Sequence, residues 1–288
     1  MEPISYLQAI ILGALQGISE PFPISSLGHA VLLPRLLGWD IHQNDDYFLS
    51  FLVATHCATA LVLFAYFFED WKRIWFGFLR SVRGRATPRD LDARLAWVII
   101  VGTIPAGILG LALEHKLRVL FASPTAAAIF LTVNGVLLLA VERFRRRPPR
   151  PGDAVGDGDA RIARMGFRQA LGIGAAQALA LIPGISRSGV TMGGGLLAGL
   201  SNEDAARYAF LLATPIILAA GLYKIPELFG PLGSGIGGQV LAGSVASFGC
   251  AYLAVRYLTR YFQSHALTPF AIYCALAGAG SLVWLTLR

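Results

Sequence analysis

Gln16-Gly17-Ile18-Ser19-Glu20-Pro21-Phe22-Pro23-Ile24-Ser25-Ser26-Leu27-Gly28-His29 interrupts an apolar run near the start of the chain, and Gln177-Ala178-Leu179-Ala180-Leu181-Ile182-Pro183-Gly184-Ile185-Ser186-Arg187-Ser188-Gly189 does the same in its second half. Gln16, Ile24, Ser25 and Gly28 align without a gap on Gln177, Ile185, Ser186 and Gly189, 161 positions further on. In both regions, 4–37 and 167–200, apolar segments of half length flank a turn rich in Pro, Gly and Ser. Crossing a hydrocarbon core about 30 Å thick takes about 20 apolar residues, so neither half spans alone. The irregular backbone between them has to be buried in protein or line a polar cavity. Each region therefore reads as a re-entrant helical hairpin.

Working outward, the rest of the chain reads as membrane. Hydrophobic residues make up 55% of its 288 positions and charged residues 14%, with a mean hydropathy of +0.60, far from the balance of a soluble domain. Six further runs are long enough to cross: 47–68, 95–113, 119–141, 205–223, 236–255 and 266–287. The third, fourth and fifth are the weaker ones, because Pro124 interrupts one, Arg207 lies near the start of the next and Arg256 closes the last. Each half is then one hairpin plus three spans. Three is odd, so the second copy inserts upside down relative to the first, the inverted-repeat plan of many transporter folds. A second echo agrees, Phe51-Leu-Val-Ala-Thr55 answering Phe210-Leu-Leu-Ala-Thr214 at an offset of 159. The expected fold is an all-α integral membrane protein with a first repeat over 1–147, a flexible linker over 148–166 and a second repeat over 167–288.

Lys and Arg concentrate in two segments, 69–94 and 142–168, which the topology puts on one side. The positive-inside rule makes that side cytoplasmic and both termini external, so the first hairpin enters from the outer face and the second from the cytoplasm. The formal net charge of +7 is then a matter of topology and anionic headgroups, not of nucleic-acid binding. Met1-Glu2-Pro3 lacks the cationic start of a cleavable signal. Cys57, Cys250 and Cys274 lie apart in apolar runs and read as buried free thiols.

Ionisable groups at membrane depth are costly and mark functional sites. Gln16 and Glu20, four apart, share a helix face and could hold a hard cation such as Mg²⁺ or Ca²⁺ together with substrate phosphate. Ser25 and Ser26 follow Pro23, where a second half-helix should begin; one serves as an N-cap. The repeat partner Ser186 favours Ser25 as the cap and Ser26 as the reactive hydroxyl. His29, three residues after Ser26, is within reach as a base or acid. Arg187 falls in the first turn of the second hairpin's returning helix, where free backbone N–H groups back a phosphate clamp, with Ser25, Ser186, Ser188 and Gly189 around it as substrate contacts. Gly189, Gly193, Gly194, Gly195 and Gly199 mark close helix packing, and His56 and Asn134 read as interhelical hydrogen-bonding residues.

Gln16-x-x-x-Glu20, Pro23-Ile-Ser-Ser-Leu-Gly-His29, Gly102-Thr-Ile-Pro-Ala106 and Pro183-Gly-Ile-Ser-Arg-Ser-Gly189 together resemble the undecaprenyl-diphosphate phosphatase family of the bacitracin-resistance type, from about residue 5 to the C-terminus. The resemblance implies hydrolysis of undecaprenyl diphosphate to the monophosphate carrier of cell-wall synthesis, at a bacterial plasma membrane with the site open to the outer face. It also implies a divalent cation and a site built from Glu20, Ser26, His29 and Arg187. Family members carry Glu or Gln at the first motif position, and Gln16 makes a second anionic ligand there less secure. Ser26 attacks the terminal phosphorus with His29 or Glu20 taking its proton, or His29 itself is the nucleophile. Partners are the lipid substrate and membrane lipids, with a homodimer left open. Phosphatidic-acid-type phosphatases need a histidine six residues after the arginine and an aspartate four further on, where this chain has Gly193 and Leu197. The remaining alternative is a polyprenyl-phosphate flippase or transporter on the same scaffold.

Overall fold

A computed structural model describes residues 4–41, 46–121, 123–145, 158–228 and 235–287. Among them the chain is all-helical: α1 (Tyr6–Ser19), α2 (Ser26–Leu36), α3 (Asp46–Tyr66), α4 (Phe68–Val82), α5 (Leu91–Phe121), α6 (Pro124–Phe144), α7 (Gly158–Ala163), α8 (Phe167–Ala176), a 3₁₀ turn (Gln177–Leu181), α9 (Arg187–Leu197), α10 (Asn202–Leu228), α11 (Gly237–Tyr261) and α12 (Thr268–Leu287). Six helices are long and apolar enough to cross a membrane, α3, α5, α6, α10, α11 and α12, and they fall on the six expected runs. The protein is a multi-pass membrane protein.

The third run needs correction. Pro124 does not interrupt it: Pro124 sits in the first turn of α6, where a missing N–H costs nothing, and Ser123 caps the helix by accepting from the Ala126 N–H at 3.2 Å. The span is therefore Pro124–Phe144, and residues 119–121 belong to α5. The fifth run does not close at Arg256, since α11 continues to Tyr261.

The motif regions form two broken helix pairs. With 14 residues in α1 and 11 in α2, at a rise of about 1.5 Å per residue, neither reaches across. Ser5 and Gln8 form a capping box that starts α1, and Pro21 and Pro23 forbid its continuation. The packing partners are exchanged between the halves. Helix α1 lies on α11 of the second half, while α8 lies on α5 of the first. Glycine allows both contacts: a Cβ on Gly13 would stand 2.1 Å from the Gly243 carbonyl oxygen, and one on Gly174, 161 positions on, 2.2 Å from that of Gly102. The stripe within α9 is close packing, as expected: Cβ atoms on Gly193, Gly194 and Gly195 would press on Val141, Ile173 and Ala205 respectively, whereas Gly199, beyond the helix, has nothing within 4 Å of a Cβ and is required by its φ of +99° instead.

The two hairpin tips meet at α6. Gly184, at φ +103°, lies so close to that helix that a Cβ there would come within 2.5 Å of the Ala127 carbonyl oxygen. Asn134 joins both tips, its Nδ2 donating to Pro23 O at 3.1 Å and its Oδ1 accepting from the Ser186 N–H at 3.0 Å. Its reading as an interhelical hydrogen-bonding residue holds, and its partners are the two turns. This brings groups 160 positions apart in sequence into one site.

At one end of the bundle the two basic segments come together. Arg73 of α4 donates to Asp159 of α7 at 2.6 Å, Arg207 donates to the same carboxylate at 2.7 Å, and Arg161 pairs with Asp204 at 2.5 Å. Arg94 donates to the Ala163 carbonyl. Arg207, which made the fourth span look weak, is thus paired where α10 begins. Helix α7 corrects the reading of 148–166 as a flexible linker: Gly158–Ala163 is helical and buried, while 148–157 lie outside the described residues. Segment 69–94 likewise contains an unforeseen amphipathic helix, α4, with Ile74 and Gly77 buried on one face and Trp75 and Phe76 exposed on the other.

Burial alone would raise the Asp159 carboxyl, but Arg207 and Arg73 outweigh it and hold it below its ordinary 3.8. With a depressed folded value, its contribution is complete above that ordinary value and fades as pH falls through the lower, folded one. Asp159→Ala is expected to cost about 2 kcal/mol at pH 7, the worth of hydrogen bonds to a charged group. The difference in thermal midpoint in detergent should narrow at about pH 4 and below. An unchanged midpoint at pH 7 would remove the carboxylate from the stability of this layer.

Candidate active site

Glu20 closes α1, its N–H bonding to Gln16 O at 3.0 Å. The prolines that stop the helix there leave its carboxylate at the break, buried to 9% exposure. Four side chains converge on it. Ser26, the first residue of α2, donates its hydroxyl to Oε2, and Arg187, the first residue of α9, donates to Oε1. Gln16 donates Nε2 to Oε2 at 3.1 Å, and His56 of α3 brings Nε2 to 3.2 Å from the same oxygen. Arg187 is held from behind by Ala213 O at 3.2 Å. A buried carboxylate needs counter-charge and donors to offset lost hydration, and here both hairpins and α3 supply them.

Ser25 and Ser186 are the caps. Ser25 Oγ accepts from the N–H groups of Gly28 and Gly184, both at 3.2 Å, so it caps its own helix and fastens the opposite tip. Its φ of +68° lies in the left-handed region that favours glycine. Ser186 Oγ accepts from the Gly189 N–H at 3.1 Å.

Several expected site residues lie elsewhere. His29 does not meet Ser26 or Glu20: Nδ1 is 2.7 Å from Ser25 O, Nε2 is 2.8 Å from Tyr273 Oη, and its ring stacks on Tyr273. Rotating by helical spacing from Ser26, its side chain turns toward α12 rather than into the break. Ser188 donates to Phe22 O at 2.8 Å and so ties the tips together, while the Gly189 N–H is taken by the Ser186 cap of its own helix. Gln16 presents its N–H to Glu20 instead of its oxygen, so in this arrangement the two do not offer a pair of oxygens to one ion.

A cavity of about 330 Å³ opens over Glu20, Ser25, Ser26, Ser186 and Arg187. Two further polar residues line it. His56, read from sequence only as a hydrogen-bonding residue in a span, is one; its cue was an ionisable side chain directly after the Phe51–Thr55 echo. Gln177, read only as the repeat partner of Gln16, is the other. The remaining wall is apolar, chiefly Leu49, Leu52 and Val53 of α3 and Ile216, Ile217 and Ala220 of α10. Such a site accepts an anionic group at Arg187 with an apolar tail between α3 and α10. No group of three or more His, Cys, Asp or Glu side chains that could hold a metal occurs among the described residues. A divalent cation would find one carboxylate, Glu20, with substrate phosphate and water completing its shell, a donor set that suits Mg²⁺.

The profile of the bacitracin resistance protein BacA family matches residues 9–280. The chain belongs to this family. It is 58% identical over 302 residues to an undecaprenyl-diphosphatase of Mycolicibacterium paratuberculosis, covering 99% of each chain. It is 45% identical to undecaprenyl-diphosphatase 2 of Frankia alni, with 97% of each covered, and 44% identical to an undecaprenyl-diphosphatase of Acidiphilium cryptum, with 96% of this chain and 97% of that one covered. The BacA match includes the second hairpin, all of the first but the opening residues of α1, and all but the final turns of α12, so the Glu20–Ser26–Arg187 cluster lies wholly inside it.

Proposed function

We propose that this BacA-family chain is an undecaprenyl-diphosphatase, hydrolysing undecaprenyl diphosphate to undecaprenyl phosphate and inorganic phosphate, and so recycling the carrier and conferring bacitracin resistance. The observation that carries the reading is Ser26 hydrogen-bonded to a buried Glu20 that Arg187 also grips, in a cavity whose other walls are apolar. A transporter has no need of a hydroxyl paired to a base. In this reading Arg187 takes the terminal phosphate, turning from Glu20 toward the incoming charge. Ser26 Oγ attacks the phosphorus while Glu20 takes its proton, and the bond to the bridging oxygen breaks. The proton leaves with the lipid monophosphate. Glu20 has the base's role because it touches Ser26, whereas His29, through the Ser25 carbonyl, braces the tip. A divalent cation held at Glu20 would supply charge neutralisation on the phosphates.

The test is phosphate release from the C55 isoprenyl diphosphate by purified protein in detergent, where no membrane asymmetry exists. Stoichiometric phosphate and lipid monophosphate are expected. No release, with lipid phosphate crossing vesicles that contain the protein, would instead establish the flippase.

We further propose a bacterial plasma membrane, inverted halves and a site open to the outer face. The exchanged packing of α1 on α11 and α8 on α5, and the gathering of cations at one end, support this arrangement. In cells, a cysteine replacing exposed Asp40 should react with an impermeant maleimide, and one replacing exposed Arg85 only after lysis. Labelling of both in intact cells would refute the arrangement.

A further inference from the structure

Among the polar side chains lining the cavity, nearly every atom has its partner inside the protein. Ser25 and Ser186 are spent on backbone N–H groups, Ser26 on Glu20, and His56 on Glu20 and Leu52 O. Gln177 is the exception. It is 3% exposed, yet its Oε1 has no hydrogen-bond partner among the described residues. Its Nε2 donates to Gly102 O at 3.3 Å, and that carbonyl is near because Gly174 packs directly against Gly102. The amide is therefore anchored through its nitrogen, with its oxygen left to accept. A buried acceptor without a donor is costly, and a site tolerates one where a ligand completes it. Gln16, in the same place of the first repeat, gives its amide nitrogen to Glu20 instead. Gln16 Oε1 is unpartnered as well, so the duplicated position has diverged in where its amide nitrogen goes and in which copy lines the cavity: Gln16 supports the base, and Gln177 forms part of the cavity wall.

Hydrolysis requires a donor that neither the lipid nor the phosphate anion supplies, namely water. We infer that Gln177 Oε1 orients the water that hydrolyses a phosphorylated Ser26, an inference that rests on the Ser26 reading above. Amide side chains perform this task for attacking water in other phosphoryl-transfer sites. The step balances as follows. The water oxygen bonds to phosphorus and the phosphorus–Oγ bond breaks. One water proton passes to Glu20 and from there to Ser26 Oγ, restoring the hydroxyl. The other stays on the departing hydrogen phosphate, and it is this hydrogen that Gln177 Oε1 holds.

The test compares the unsubstituted protein, Gln177→Met and Gln177→Glu, using substrate labelled with ³²P in the terminal phosphate, rapid quench and mapping of the labelled residue. For Gln177→Met, kcat is expected to fall about 100-fold or more with KM falling in parallel. Lipid monophosphate should still appear in the first turnover at a near-normal rate, while label accumulates on Ser26. Gln177→Glu keeps an acceptor at the same length and should leave less label than Met, which separates lost orientation from lost folding. First-turnover release slowed as much as kcat, with no accumulated label, would overturn the inference while leaving Ser26 as nucleophile if the unsubstituted protein labels there. Absence of label from every protein, together with full turnover by Ser26→Ala, would overturn the Ser26 reading and this inference with it.

Discussion

Arg187→Lys is expected to lower turnover by roughly 100-fold or more, the cost of losing one preorganised group at a developing charge. Lysine keeps the charge but has no planar fork with which to stay on Ala213 O while turning from Glu20 to a phosphate. Arg187 also stabilises the fold by offsetting the buried Glu20, and removing one member of such a pair outright costs about 3–5 kcal/mol. Lysine is the informative substitution for that reason: it retains compensation, so folding can be verified by thermal unfolding before activity is compared. A correctly folded Arg187→Lys protein with turnover near that of the unsubstituted protein would end the clamp assignment.

Ser26→Ala is expected to abolish turnover while leaving the thermal midpoint nearly unchanged, because Ser26 gives up one donor to a carboxylate that keeps three others. Ser25→Ala should do the reverse. It removes the cap of α2, worth about 1 kcal/mol, and strands the Gly184 N–H, while keeping a side chain at φ +68°. Ser25→Gly should be milder than Ser25→Ala in stability, since glycine is at ease in that conformation and costs little at a cap. Paired measurements of kcat and unfolding midpoint on the three variants decide the roles. Activity surviving in Ser26→Ala but lost in Ser25→Ala would exchange cap and nucleophile.

Asp159, the labelled cysteines and Gln177 examine progressively finer levels of the same architecture: the charged layer, the orientation of the halves and the fate of one water. The first two concern elements fixed by charge and length, which is why their outcomes follow from the chain's own pattern. Gln177 concerns one atom whose significance comes from the positions of everything around it.

That this is a six-span membrane protein with two broken hairpins was legible in the chain alone, because span length, the prolines at 21, 23 and 183 and the distribution of arginine are properties read locally. The chain also named Glu20, Ser26 and Arg187, since charged and nucleophilic groups between apolar runs stand out wherever the fold puts them. Helix α4 has its own pattern, Trp71, Ile74 and Phe78 alternating with Glu69, Asp70 and Arg73, but the segment was read only for its arginines, as a marker of the cytoplasmic side. Side-chain direction had to come from the packed helices. Spacing placed His29 within reach of Ser26, yet the rotation of α2 against α12 turns its ring to Tyr273, and a histidine from a different helix, His56, meets Glu20 instead. Ser188 likewise turned out to fasten the tips, Gly189 to serve the cap of its own helix, and Gln177 to line the cavity with its oxygen unpartnered. Sequence distance carries no information on which face of a helix meets a neighbour 30 or 160 positions away; that follows from how closely the glycines at 13, 28, 174 and 184 let the backbones approach.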